Sequence, residues 1–103
     1  MRVGIVGGYE KAEVAYHKVA AAHGHEVEFH SGHATARGHA AIASLVDRCD
    51  VVVIVTDVNS HAAVLGARQL VRQKGGEPFV TRRFGVRRLV ELFEEHDRAH
   101  RAA

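Results

Sequence analysis

The chain has no tryptophan, one cysteine, one proline and one methionine among 103 residues, and aromatics make up only 6% of it. Each shortage excludes something. A lone thiol, Cys49, cannot close an internal disulfide, so this is not a disulfide-stapled secreted scaffold. The single proline, Pro78, leaves no Pro/Gly/Ser-rich linker, and no repeat of a solenoid period is present. Few aromatics mean few platforms on which bases could stack. No apolar run approaches the roughly 18–20 residues that cross a bilayer, and residues 1–20 lack a secretory layout. The expectation is a cytoplasmic chain with no membrane partner.

What is present is ordinary in bulk and uneven in detail. Hydrophobic residues at 47% and charged residues at 25% suit one soluble globular domain over residues 1–103. The formal charge of +2 divides into −2 for residues 1–61 and +4 for residues 62–103. That modestly basic second half favours anionic partners. Nine histidines are many for this length, so the charge climbs as pH falls through about 6.5.

Apolar residues recur with alternating strand and helix periods. "RVGIVGG" reads as a short strand ending in glycines, and Tyr9 to His23 as a helix burying Ala12, Ala15, Tyr16, Val19 and Ala22, with Gly24 closing it. In "HEVEFH" Val27 and Phe29 alternate with charge, the pattern of an edge strand. Ile42, Leu45, Val46 and Cys49 follow the i, i+3, i+4, i+7 rule of a second helix, with Thr35 as its cap. "DVVVIVTD" is a strand buried on both faces, and Asn59 or Ser60 caps a third helix carrying Ala63, Ala67, Leu70 and Val71. "EPFVTR" supplies a short fourth strand, and Val86, Leu89, Val90 and Phe93 mark the buried face of the last helix.

Four strand–helix units in succession predict an α/β Rossmann-like three-layer sandwich, with helices on both faces of a four-stranded parallel sheet. Right-handed crossovers, the half-polar strand at an edge and the all-apolar strand inside give the order 2-1-3-4. In such folds ligands sit beyond the carboxyl ends of the strands, where the strand order reverses. Gly7-Gly8-Tyr9, His30 to His33, Thr56 to His61 and Thr81-Arg82-Arg83 should converge there.

Candidate roles follow from residue type. Gly7 and Gly8 would let backbone amides approach an anion at a helix start, with Tyr9 alongside. Thr56, Asn59, Ser60 and His61 would line the same crevice, Asn59 and Ser60 doubling as caps. A cationic His61 in a first helical turn opposes the helix dipole, whereas a neutral imidazole used as ligand or donor does not. Arg82 and Arg83 would meet phosphate or carboxylate. His61 oriented by Asp57 is the candidate catalytic pair, and His33, His61 and Asp57 could hold a divalent transition metal. The dinucleotide motif G-x-G-x-x-G and the P-loop motif are absent. Cys49 reads as a core residue, and His23, His25, His39, His96 and His100 as surface histidines.

With "VGG" after the first strand, "HSGH" after the second, "DVVVIVTDVNSH" through the third and "GGEPFVTRRFG" through the fourth, the chain resembles a bacterial family known as domain of unknown function 2325. The Asp-x-x-Ser-His stretch, Asp57 to His61, is the most specific piece. Ser31, Gln73 and Gly85 depart from the family pattern, which weakens a carboxylate-rich turn and any thiol chemistry. The resemblance implies a small Rossmann-like module with Asp57, Ser60 and His61 at its centre, and no activity.

The leading expectation is a ligand-binding regulatory or accessory module that takes a phosphate-bearing small molecule such as a nucleotide. The alternative is a metal-assisted hydrolase, or another metal-binding protein, built on His61, Asp57 and His33. A third reading is nucleic-acid binding through Arg68, Arg72, Lys74, Arg87 and Arg88. Exposed sheet edges favour a homodimer formed through the short fourth strand or the last helix.

Overall fold

The computed structural model describes residues 1–32 and 35–102. Strands β1 (Arg2–Val6), β2 (Glu26–His30), β3 (Val51–Val55) and β4 (Phe79–Thr81) alternate with helices α1 (Glu13–Ala22), α2 (Ala36–Arg48), α3 (His61–Gln73) and α4 (Val86–Ala102). The sheet is parallel throughout, in the order β2-β1-β3-β4. This is the expected three-layer α/β fold.

Side-chain alternation along the two central strands divides the core. Val3, Ile5, Val53 and Val55 face α1 and α4, where Tyr16, Leu89 and Phe93 meet them. Val6, Val52 and Ile54 face α2 and α3, against Ile42, Leu45, Val46, Ala63, Ala67 and Val71. Position 4 lies on that second face, where a Cβ would stand 2.3 Å from the Leu45 side chain and only glycine fits. On edge strand β2, Val27 is buried while Glu28 forms an ion pair with Arg48 at 2.6 Å. Cys49 is buried as expected, and burial followed by its bond to Glu28 pushes the thiol up to about 12, leaving it unreactive.

Two expectations need correction. A 3-10 turn (Glu10–Ala12) precedes α1 and advances each residue by about 120° rather than 100°. The helix that follows buries Tyr16 and Ala20 while Ala22 is exposed, so the core-facing stripe is turned from the one expected. His25 is likewise not a surface histidine, since its side chain is only 8% exposed. The Met1 ammonium can only donate, so His25 Nδ1 accepts from it at 2.7 Å and Nε2 donates to Asp97 at 2.8 Å. The ring stacks on Phe93, and His96 and His100 complete the cluster.

This histidine cluster lies at the amino ends of the strands, far from the candidate crevice. Burial, then the neighbouring His100, hold His96 below its usual value of 6.5. A histidine depressed in the folded state contributes stability above its unfolded value, and that contribution is lost as pH falls below it. The thermal midpoint should therefore drop between about pH 7.5 and pH 5.5, with a shallower slope in His96→Gln. Calorimetric scans across that range check both.

Candidate functional site

The carboxyl ends of β1 and β3 are tied together by one side chain. Asn59 Nδ2 donates to the carbonyls of Val55 at 2.7 Å and Val6 at 3.3 Å, and Oδ1 accepts from Ser60 N at 2.8 Å. Ser60 is the N-cap of α3: its Oγ accepts from Ala63 N at 3.1 Å and donates to Gly32 O at 2.8 Å. Of the two expected caps, Ser60 performs that task and Asn59 serves as the clamp.

The clamp explains two glycines. A Cβ on Gly7 would lie 2.4 Å from Asn59 Nδ2, and one on Gly32 would lie 2.0 Å from Asn59 Oδ1. Both residues also have positive φ, +100° and +90°. Their amides are already engaged. Gly7 N donates to His30 O at 2.7 Å, Gly8 N to Val58 O at 3.0 Å and Gly32 N to His30 Nδ1 at 3.0 Å. The amide cradle read from Gly7-Gly8 is thus occupied by the protein's own acceptors. Thr56 N and Asp57 N close the far side, donating to Thr81 O at 2.9 Å and Arg82 O at 3.0 Å. The described parts of the polar segments converge, and the amides of Gly7, Gly8, Gly32, Thr56 and Asp57 are taken by acceptors of the protein itself.

A cleft of about 480 Å³ opens on the α1/α4 side of this junction. Tyr9, Ala12 and Tyr16 form one wall, Val55, Asp57 and Val58 the floor, and Arg83 to Val86 the other wall. Tyr16 fixes that second wall by donating its hydroxyl to Phe84 O, and burial raises its pKa so that it stays a neutral phenol. Arg88 braces the same loop, donating to Thr81 Oγ1 at 2.8 Å and Arg83 O at 3.1 Å with its guanidinium over Phe79 and Phe84. At the mouth, Asp57 is met by Arg83 Nε at 3.1 Å and Arg82 Nε at 3.7 Å. Tyr9 stands exposed on the opposite lip, with Lys11 over its ring.

A family model described as an uncharacterized protein conserved in bacteria, domain of unknown function 2325, matches residues 2–96. The chain belongs to this family. No curated protein and no solved structure matches it. Within this member of the family, Gly8, Tyr9, Asp57 and Arg83 share the cleft, whereas Gly7, Thr56, Asn59, Ser60, His61 and Arg82 are not among its lining residues. His61 is exposed at the start of α3, and among the described residues nothing hydrogen-bonds to its ring. Asp57 is engaged by arginines rather than orienting His61. Among the described residues no three His, Cys, Asp or Glu side chains form a metal-holding group, and His33 lies outside those residues. Of the basic residues considered for nucleic acid, Lys74 is spent on the carbonyls of Val46 and Asp47 at 2.7 and 2.8 Å, and Arg88 on the loop just described.

The sequence reading missed Ala12, Tyr16, Val58, Phe84, Gly85 and Val86 as lining residues. Ala12, Tyr16 and Val86 read as core from their helical spacing, and Tyr16 and Phe84 are indeed buried. Val58 is different: it is exposed and holds φ +50°, a left-handed conformation costly to a β-branched residue. Relief of that strain in Val58→Gly should raise stability by about 0.5–1 kcal/mol. Asn59→Ala should lower it by about 2 kcal/mol, because two strand-end carbonyls and the Ser60 amide lose their partner. Urea unfolding of the two variants beside the parent protein measures both shifts.

Proposed function

We propose that this domain is a ligand-binding regulatory or accessory module for a phosphate-bearing small molecule with a flat apolar part, of which a nucleotide is the simplest example. The observation that carries this reading is the asymmetry of the cleft. Its interior is apolar and aromatic, while its mouth carries Asp57 with Arg83 and Arg82. Volumes of this order suit small-molecule sites, which pair an apolar lining with a few convergent polar groups.

The arginines support an anion-binding role through their availability. Their side chains are 80% and 83% exposed, and exposed ion pairs are worth under about 1 kcal/mol. A ligand phosphate can therefore take a guanidinium from Asp57 at little cost, and the forked donors of arginine match phosphate oxygens. The released Asp57 carboxylate would accept hydrogen bonds from sugar hydroxyls. Tyr9 offers an exposed ring against which a base could stack. In this reading Arg83, Asp57 and Tyr9 take the roles expected earlier of the glycine amides and His61.

Calorimetric titration with adenine and guanine nucleotides, alongside inorganic phosphate, tests the assignment. Nucleotide should bind, Arg83→Ala should weaken binding about ten-fold or more, and His61→Ala should leave it unchanged. Equal binding by the parent protein and Arg83→Ala, or loss in His61→Ala alone, would move the site to the α3 side of the sheet. Phosphate binding as tightly as any nucleotide would show that the apolar interior contributes nothing.

A further inference from the structure

Charge in the cleft is confined to one corner. Among the described residues that line it, Asp57 is the only acid and Arg83 the only base. The two hold their places differently. The Asp57 side chain is set into the floor at 34% exposure, beside a backbone amide that donates to Arg82 O at 3.0 Å. The side chains of Arg82 and Arg83 are more than twice as exposed, and each faces its own oxygen of the one carboxylate. Arg82 Nε lies 3.7 Å from Oδ1, and Arg83 Nε donates to Oδ2 at 3.1 Å. Their backbones stay tied, Arg82 O to the Asp57 amide, and Arg83 O to Thr81 Oγ1 and Arg88 Nη1, both at 3.1 Å. A fixed carboxylate thus occupies two cations that can leave it by side-chain rotation alone.

We infer that Asp57 is the specificity-determining residue of this cleft, admitting a phosphate that comes with neighbouring hydroxyls and excluding free phosphate. The ligand class is then a ribonucleotide or another sugar phosphate. This rests on the cleft being a phosphate site, and goes further by naming what carries the phosphate. Any anion that takes the arginines competes with a carboxylate already in place. Asp57 is tethered beside them, so it competes at a high effective concentration.

The outcome depends on what the displaced carboxylate then meets. Inorganic phosphate leaves Asp57 stripped of its cations and facing a dianion, a like-charge contact that works against binding. A ligand with ribose hydroxyls offers it donors instead. Both carboxylate oxygens only accept, so a pair of neighbouring hydroxyls satisfies them with charge-assisted hydrogen bonds in place of the lost ion pairs. A dideoxy ligand displaces the arginines equally and leaves the carboxylate unpaired, which is how a site built around a ligand hydroxyl rejects the analogue that lacks it. An asparagine carboxamide at position 57 would neither hold the arginines nor repel phosphate, although its oxygen could still accept from a hydroxyl. Selection therefore resides in the charge of Asp57 and not in its shape.

Calorimetric titration of the parent protein and Asp57→Asn with adenosine and guanosine monophosphates, their dideoxy counterparts and inorganic phosphate tests the inference. The parent protein should bind a ribonucleotide about ten-fold more tightly than its dideoxy counterpart, and inorganic phosphate more weakly than either. In Asp57→Asn, inorganic phosphate and the dideoxy ligand should bind about five-fold more tightly, and the preference for ribonucleotide should shrink to about two-fold. Weaker phosphate binding in Asp57→Asn, or a ribonucleotide preference that it leaves unchanged, would overturn the role of Asp57 while leaving the cleft a phosphate site. No binding of any of these compounds to either form would overturn both. Circular dichroism checks that the variant is folded. Should it not fold, the parent protein decides alone. A ribonucleotide preference of about ten-fold supports the inference, and equal binding of ribonucleotide and dideoxy ligand overturns it.

Discussion

The carboxyl pole of this fold depends on the carboxamide of Asn59. One donor group bridges the last carbonyls of β1 and β3, and the oxygen fixes the start of α3. A side chain of this length in the junction leaves no space for a Cβ at Gly7 or Gly32. Both glycines thus follow from the clamp as much as from their own positive φ. The clamp also governs where free polar groups are found. The strand-end loops are drawn so close that their amides are satisfied by carbonyls of neighbouring loops. On the α1/α4 side the exposed charges of Asp57, Arg82 and Arg83 stand at the mouth of the cleft as side chains rather than backbone.

Much of the architecture was legible because it rests on local patterns. The run Val51 to Val55 could only be an inner strand, and Val27 and Phe29 alternating with Glu26 and Glu28 could only be an edge. With right-handed crossovers those two placements fix the strand order. A cap at Asn59 or Ser60 follows from their position just before a periodic apolar stretch, and Ser60 is the one that performs it.

The site was less legible, for equally physical reasons. A glycine pair after a strand signals close approach of something, and the sequence does not say whether a ligand or a side chain distant in the chain approaches. Here it is Asn59, some fifty residues on. The polar stretch Thr56 to His61 looked like one surface. The left-handed turn at Val58 splits it, sending Asp57 and Val58 to the cleft while His61 opens α3. The phase of α1 was misjudged because its alanines, at 15, 20, 21 and 22, lie around the axis and mark no single apolar stripe. Each of these errors concerns an angle or a long-range contact, which periodicity does not encode.

The amide resonances of a uniformly labelled sample, followed during titration with a nucleotide, test the central claim most directly. The account predicts shift changes concentrated at Gly8, Tyr9, Asp57, Val58 and Arg83 to Val86, with His61, Ala62 and Ala63 nearly still. Changes centred on His61 and the first turn of α3, with the β4–α4 loop unmoved, would contradict it.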